Sequence, residues 1–123
     1  MSEEFSGLPP QVQERLLRLQ QLQQTLQAVL TQKQQLELEL TEVEQALEEI
    51  GKLGDDAVIY KSIGALLVKS EKQKVTLELG ERKELLSMRT GVLGKQEERL
   101  RSQVKELQTK LQQDLRPLGP QSP

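Results

Sequence analysis

A ladder of leucines at intervals of seven residues is the feature that most constrains this chain. Its members are Leu79, Leu86, Leu93, Leu100 and Leu107. A strict seven-residue apolar repeat gives an α-helix one apolar edge that faces a partner helix along its length, as in a coiled coil. Ser70 and Gln73 resemble a capping box before the ladder, and Pro117 cannot continue a helix after it. The sequence therefore predicts a helix over about residues 71–116.

A first helix is predicted in the N-terminal half, and it starts at Pro9–Pro10 because proline is accepted in a first turn. Its apolar residues form two series, Val12, Leu16, Leu19, Leu26 and Leu30, then Leu36, Leu40, Val43, Leu47 and Ile50. The series differ in phase, which predicts a stammer between Leu26 and Leu36 and places Leu17 and Leu22 off the apolar edge. Gly51 ends the helix, so its predicted range is about residues 10–50.

The two helices match each other if the chain folds back on itself. Facing positions then have residue numbers that add up to 126, as for Leu19 with Leu107, Leu26 with Leu100, Leu40 with Leu86 and Leu47 with Leu79. By the same rule the polar pairs are Gln23 with Gln103, Glu37 with Arg89 and Glu44 with Arg82. An exposed ion pair contributes only about 0.2–1 kcal/mol, so such pairs fix register more than they stabilise. The pattern predicts an antiparallel helical hairpin, and heptads that serve parallel dimers are the alternative.

Between the helices, residues 57–62 and 66–69 are short runs typical of β-strands. Residues 63–65 separate them, which predicts a β-hairpin with a three-residue loop; an irregular helical turn is the alternative. Three consecutive apolar residues in the second run place apolar side chains on both faces, and a lone two-stranded hairpin is marginally stable in water. We therefore expect neighbouring subunits to cover it. The residues assigned to subunit assembly are Val58, Ile59, Tyr60, Ile63, Leu66, Leu67 and Val68.

Composition argues against several classes of function. The chain has neither His nor Cys, so zinc sites of the usual kinds, cysteine nucleophiles and histidine acid–base chemistry are not available, and neither an enzyme nor a cofactor is expected. Its net charge of −2, with both signs interspersed, is unlike a nucleic-acid-binding surface. The longest apolar run, residues 63–68, is far shorter than the roughly 20 residues that span a bilayer. The acidic N-terminus is unlike a signal peptide, so we expect a cytoplasmic protein.

Five segments resemble the beta subunits of archaeal prefoldin. In and around the hairpin they are residues 53–57, 60–64 and 66–69, and in the second helix they are residues 96–100 and 104–107. The heptads alone would be a weak signal, because every coiled coil has them. The hairpin block, which is the three segments in and around the hairpin, is far more specific when it lies between two such helices. A single hairpin also matches the beta rather than the alpha type of subunit.

This resemblance implies fold and function together. The fold class would be mainly α, a long antiparallel coiled-coil helical hairpin joined by a short β-hairpin that assembles into an oligomeric β-barrel body. The function would be that of an ATP-independent chaperone subunit that captures unfolded polypeptides at coiled-coil tips and transfers them to a group II chaperonin. Its partner would be a prefoldin alpha-type subunit, in a hexamer of two alpha and four beta subunits. A structural coiled-coil tether that binds one specific folded partner is the alternative.

Apolar residues near both ends of the chain are the candidates for binding unfolded clients. They are Leu8, Val12, Leu16, Leu19, Leu107, Leu111, Leu115 and Leu118. Most also lie on the apolar edges of the helices, so their alternative role is to pack the two helices against each other. Residues 1–9 mix Gly, Pro, Ser and Glu, and residues 117–123 contain three of the five prolines, so both ends are expected to fray. Helix ends also open at low free-energy cost. The whole chain, residues 1–123, is expected to form one prefoldin-like domain with its client site at these ends.

Glycines mark the departures from the resemblance. Gly54 stands where many relatives have proline, which loosens the entry to the first strand. Gly80, Gly91 and Gly94 lie inside the second helix, where each glycine costs about 1 kcal/mol relative to alanine. The last two predict a soft segment in the middle of that helix, with neutral drift as the alternative.

Overall fold

The computed structural model describes residues 7–116. The elements follow in the order α1 (Pro10–Gly51), β1 (Ile59–Ile63), β2 (Leu66–Ser70) and α2 (Lys72–Leu115). The predicted combination of two long helices with a short antiparallel β-hairpin between them is confirmed. The chain divides into two compact units. The terminal unit comprises Met1–Gln32 and Leu93–Pro123, and the hairpin unit comprises Lys33–Val92.

Helix α1 begins as the two prolines predict. The carbonyl oxygen of Pro9 accepts hydrogen bonds from the backbone N–H groups of Val12 and Gln13, both at 3.0 Å, so Pro9 caps the helix and Pro10 is its first residue. Proline fits this position because its missing N–H group would have no partner there, and its fixed φ angle is already helical. The last helical residue is Gly51, which agrees with the tendency of glycine to end helices.

The β-hairpin has a tighter turn than the sequence predicted. Ile63 pairs with Leu66, so Ile63 belongs to β1 and the loop has two residues, Gly64 and Ala65, rather than three. Gly64 has a φ of 58°, and none of the non-glycine residues described has a positive φ. Positive φ at the first central residue alone is the pattern of a type II′ turn, whose twist matches that of the two strands. A glycine is favoured there because side chains are strained at positive φ.

Helix α2 follows β2 after a single intervening residue. The carbonyl oxygen of Glu71 accepts the first helical hydrogen bond, from the N–H of Val75 at 3.0 Å. Ser70 pairs with Ile59 as the last residue of β2. The predicted capping box of Ser70 and Gln73 is therefore wrong, because the ladder of the hairpin extends further along the chain than its composition indicated.

In the terminal unit, α1 and α2 bury apolar side chains against each other. The buried residues of this unit are Val12, Leu22, Val29, Leu93 and Leu111. An ion pair between Arg15 and Asp114 joins the first turns of α1 to the last turn of α2. Contact between an early residue of one helix and a late residue of the other shows that the helices are antiparallel here, as predicted.

In the hairpin unit, ion pairs also join the two helices in antiparallel sense. Arg82 donates to Glu39 at 2.9 Å, and Lys83 lies 3.6 Å from Glu44. The sequence had paired Arg82 with Glu44, which is wrong by five residues, because long side chains reach diagonally across the pair. The predicted pair of Glu37 and Arg89 is also absent within residues 7–116. Leu86 is fully buried in this unit.

The apolar edge of α1, which we call the α1 seam, is an unbroken seven-residue ladder. Its residues are Leu22, Val29, Leu36, Val43 and Ile50, each buried or half-buried. No shift of phase is present along this ladder, so the predicted stammer is wrong. Leu22, which the sequence placed off the edge, is only 6% exposed, whereas the predicted edge residue Gln23 is exposed and so is Gln103. Choosing Leu30 instead of Val29 as the edge residue had produced the apparent shift.

Candidate functional site

The most exposed apolar surface lies on the β-hairpin and the residue before it. We call it the hairpin surface; its residues are Val58, Ile59, Tyr60, Ile63, Leu66, Leu67 and Val68. All but Ile59 are exposed, and Leu66 and Leu67 are 67% and 72% exposed. Within the described chain these aliphatic side chains have no cover. Clustered apolar surface of this kind marks interaction sites in soluble proteins.

The register of the strands divides this surface between the two faces of the hairpin. One face carries Lys61 among apolar residues, because Lys61 pairs with Val68 and Ile63 pairs with Leu66. The other face carries Tyr60, paired with Lys69, and Leu67, paired with Ser62. Since paired residues share a face and neighbours alternate, apolar side chains are exposed on both. This agrees with the sequence expectation that apolar side chains lie on both faces of the hairpin.

Two lysines tie the hairpin and its approach to helix α2. Lys61 Nζ lies 2.5 Å from Glu78 Oε2. Lys72 Nζ donates to the carbonyl oxygen of Leu53 at 2.6 Å and lies 3.6 Å from Asp55. The hydrogen bond from Lys61 lowers the pKa of Glu78 below its ordinary value of 4.5. These contacts hold the hairpin surface in a defined position on the hairpin unit.

The second candidate surface is the end of the terminal unit, where the sequence placed client binding. Val12 and Leu111 are buried, at 4% and 6% exposure. Leu8, Leu16, Leu19 and Leu107 are half-buried, and Leu115 is 40% exposed. Leu118 lies outside the described residues. The structure therefore brings most of these residues into one unit, although the largest part of their apolar area is turned toward the helix pair.

Leu17 and Leu22, which the sequence placed off the apolar edge of α1, differ in their exposure. Leu22 is buried in the α1 seam and is not available. Leu17 is 52% exposed and lines an open groove of about 560 Å³ beside Arg15 and Leu107. Only Leu17 adds apolar surface near the end of the helices.

Comparison with known proteins identifies the family. A family described as prefoldin subunit matches residues 13–117. Prefoldin subunit beta of Pyrococcus furiosus is 49% identical over 113 residues, which cover 92% of this chain and 97% of that protein. The chain belongs to the prefoldin family. Prefoldin subunit beta of Archaeoglobus fulgidus is similarly related, at 51% identity over 110 residues that cover 89% of this chain and 95% of the relative.

A solved prefoldin structure has the same fold. The crystal structure of the prefoldin beta subunit from Thermococcus strain KS-1 superposes with a TM-score of 0.84 at 49% identity, covering 89% of this chain and 96% of that one. The family match includes the entire hairpin surface, all of α2 and all of α1 except its first three residues. The resemblance drawn from the hairpin and second-helix segments is thus confirmed, and prefoldin subunits are chaperone components.

Two kinds of site are absent from the part of the chain that the structure describes. Residues 7–116 contain no group of three or more acidic side chains arranged to hold a metal ion. Neither α1 nor α2 has a stretch apolar enough to cross a membrane.

Sequence reasoning missed the polar contacts that position both prefoldin surfaces. The pair of Arg15 and Asp114 at the end of the terminal unit was not anticipated, nor was the pair of Lys61 and Glu78. The first pair could have been inferred from the sequence, because Arg15 and Asp114 each continue a seven-residue apolar ladder by one more step. The second pair could not, because the direction in which a lysine side chain extends from a two-sided hairpin depends on how the strands meet α2.

Proposed function

We propose that this chain is the beta-type subunit of an ATP-independent holding chaperone in the cytoplasm. Its hairpin surface joins those of other prefoldin subunits in a shared β-barrel body, and the ends of its helices capture unfolded polypeptides. The observation that carries the proposal is the exposure of apolar side chains on both faces of a two-stranded hairpin. A hairpin of this kind needs further strands or other cover to be stable.

Membership of the prefoldin family and the exposed hairpin support the proposed assembly. By analogy with beta subunits, the partners are alpha-type prefoldin subunits, in a hexamer of two alpha and four beta chains. Within residues 7–116 the sheet consists of β1 and β2, so no further strand lies beside the outer edge of either one there. Unpaired edges offer backbone hydrogen bonds to the hairpins of neighbours, and Tyr60 and Leu67 supply apolar contacts on one face while Leu66 and Val68 supply them on the other.

Client capture is assigned to the end of the terminal unit. The residues concerned are Leu8, Val12, Leu16, Leu19, Leu107, Leu111, Leu115 and Leu118, as the sequence indicated. Helix ends open at lower free-energy cost than helix centres, so their apolar residues become available without chemistry or nucleotide. Several such ends in one hexamer bind a client by avidity, because each weak contact raises the effective concentration of the next. The captured client then passes to a group II chaperonin.

The experiment compares the full chain with a truncated one, each assembled with an alpha-type subunit. The truncation removes residues 1–19 and 107–123, which takes matched lengths from the two antiparallel helices and leaves the hairpin surface intact. Native mass spectrometry measures the assembly, and light scattering follows aggregation of a chemically unfolded test protein. We expect both proteins to form hexamers and only the full chain to suppress aggregation.

The outcomes separate the parts of the proposal. A truncated hexamer that suppresses aggregation fully would place client binding elsewhere on the molecule. A full chain that assembles but binds one folded protein stoichiometrically, without suppressing aggregation, would favour the tether. Delivery is tested by adding a group II chaperonin, with ATP, to the preformed complex of hexamer and unfolded client. Failure of the client to fold under these conditions would contradict the transfer step.

A further inference from the structure

Both apolar ladders of the helix pair end in a charged residue at the same end of the molecule. Continuing the α1 seam seven residues before Leu22 leads to Arg15. Continuing the leucine ladder of α2 seven residues beyond Leu107 leads to Asp114. These two charged residues contact each other through Arg15 Nη1 and Asp114 Oδ2. The terminal unit thus has an ion pair at the step where the two ladders would otherwise place an apolar pair.

This pair is partly removed from water and lies beside the most buried apolar residues of the end. The side chains of Arg15 and Asp114 are 25% and 20% exposed. Val12 and Leu111 each lie three residues away from one of them, which places them one turn along the same helix face. Both are buried. The state of the ion pair is therefore coupled to the exposure of these two apolar side chains.

A charged pair and a leucine pair respond differently when the helices separate. Separating two leucines exposes apolar area at about 25 cal/mol per Å², with nothing gained in return. Separating Arg15 from Asp114 breaks a charge-assisted hydrogen bond but returns both charges to water, so much of the loss is recovered. Asp114 also lies in the last turn of α2, where the helix dipole disfavours a negative charge. This layer of the helix pair therefore opens more readily than a leucine layer would.

We propose that Arg15 and Asp114 form a latch that controls client access to Val12 and Leu111. With the pair closed, both apolar side chains are covered within the chain. With the pair open, they form an apolar surface for an extended apolar segment of a non-native polypeptide. Arg15 and Asp114 are thus positioning residues and do not themselves bind the client. The inference rests on the proposed chaperone function and names how its client site becomes exposed.

The test changes the latch in both directions in the assembled complex with the alpha-type subunit. Arg15→Gln removes the positive charge while keeping a flexible polar side chain, and Arg15→Lys keeps the charge as the matched control. The double variant Arg15→Leu with Asp114→Leu continues both apolar ladders and should keep the two helices together at this end. Two measurements are made on each protein: hydrogen exchange of the amides in residues 12–16 and 107–114, and the concentration of complex that halves aggregation of a chemically unfolded test protein.

The rate of amide exchange at the end of the helices and the ability of the complex to suppress aggregation should change together. Relative to wild type, we expect Arg15→Gln to speed exchange at the end by about threefold to tenfold and to suppress aggregation at a lower concentration, while Arg15→Lys stays close to wild type. The double leucine variant should slow exchange by about tenfold and need more complex for the same suppression. A merely structural role would give the opposite result for Arg15→Gln, since loss of a stabilising contact would weaken the chaperone.

Two results would overturn the latch. One is unchanged exchange in both Arg15→Gln and the double leucine variant. The other is changed exchange with unchanged suppression, which would show that opening of this end does not govern capture. If wild type itself fails to suppress aggregation, the proposed function fails, while the exchange data still decide whether Arg15 and Asp114 hold the end closed.

Discussion

The α1 seam and the hairpin surface contain the same kinds of aliphatic residues, but the seam buries them and the hairpin exposes them. Leu22 in the seam is 6% exposed, whereas Leu67 in the hairpin is 72% exposed. The seam has a partner helix within the chain, whereas no strand other than β1 and β2 is present in the described residues 7–116 to cover the hairpin. Apolar composition therefore does not distinguish a core from an interface. What distinguishes them is whether the chain itself can supply the opposing surface.

The largest expected effect is on assembly, and it comes from the hairpin. Leu67→Asp should prevent hexamer formation while leaving most helix content, because a charge would then face the apolar cover that neighbouring hairpins provide. Native mass spectrometry and circular dichroism measure the two properties. Leu77→Asp is the matched control, since Leu77 is 65% exposed but lies on α2 outside the hairpin surface. A Leu67→Asp protein of unchanged mass would contradict the proposed body.

The next effect is on stability, and it comes from the seam. Leu22→Ala should lower the free energy of unfolding by about 2–5 kcal/mol, the usual result of removing a buried leucine side chain. Leu17→Ala, five residues away and 52% exposed, should change it by no more than about 0.5 kcal/mol. Urea unfolding followed by circular dichroism at one protein concentration measures both. Equal losses for the two variants would mean that the seam does not run through Leu22.

These two leucines also show where sequence reasoning was sufficient and where it was not. The helices, the hairpin and the family followed from the repeat and the hairpin block, because their signals extend over many residues. The phase of α1 did not follow, because Val29 and Leu30 are adjacent apolar residues and periodicity alone does not decide which one faces the partner. Arg15, a charged residue one step before Leu22 on the same ladder, hid the continuous repeat further.

The candidate sites were predictable to different degrees for a related reason. The hairpin surface was identified from sequence alone, since alternation along a strand fixes which side chains share a face. The partners of charged side chains were not, because a lysine or arginine reaches positions one turn away in either direction. Arg82 accordingly contacts Glu39 rather than Glu44.

A smaller effect is expected at the glycines of α2. An added methyl group at Gly91 or Gly94 would meet no other atom within 4 Å, so alanine fits at both positions. Each substitution should stabilise the helix by about 1 kcal/mol, because glycine loses more backbone freedom on folding. In wild type, amide exchange near these glycines should be faster than near Leu79 and Leu86, and the alanine variants should slow it.

The control for this comparison is Gly7→Ala. Gly7 also has open space around it but precedes α1, so no helix propensity is gained. Equal exchange along the whole of α2 in wild type would remove the soft segment that the glycines predict. Slower exchange in the alanine variants with unchanged aggregation suppression would show that this segment does not contribute to capture.

The smallest expected effect is a pH dependence of the anchor between the hairpin and α2. The hydrogen bond from Lys61 lowers the pKa of Glu78 below 4.5 in the folded protein. A lowered folded-state pKa means that the ionised carboxylate stabilises the fold above its ordinary pKa and that this contribution is lost as the pH falls through the lower folded value. Amide exchange in residues 59–70, corrected for the intrinsic pH dependence of exchange, should therefore rise as the solution is acidified below about pH 4.5.

Glu78→Gln should remove that part of the rise, because glutamine does not titrate. Glu81→Gln, an exposed change on the same helix, should leave the rise intact. If Glu78→Gln and wild type give the same acid profile, Lys61 and Glu78 do not anchor the hairpin, and the contacts of Lys72 with Leu53 and Asp55 are then its polar ties to α2.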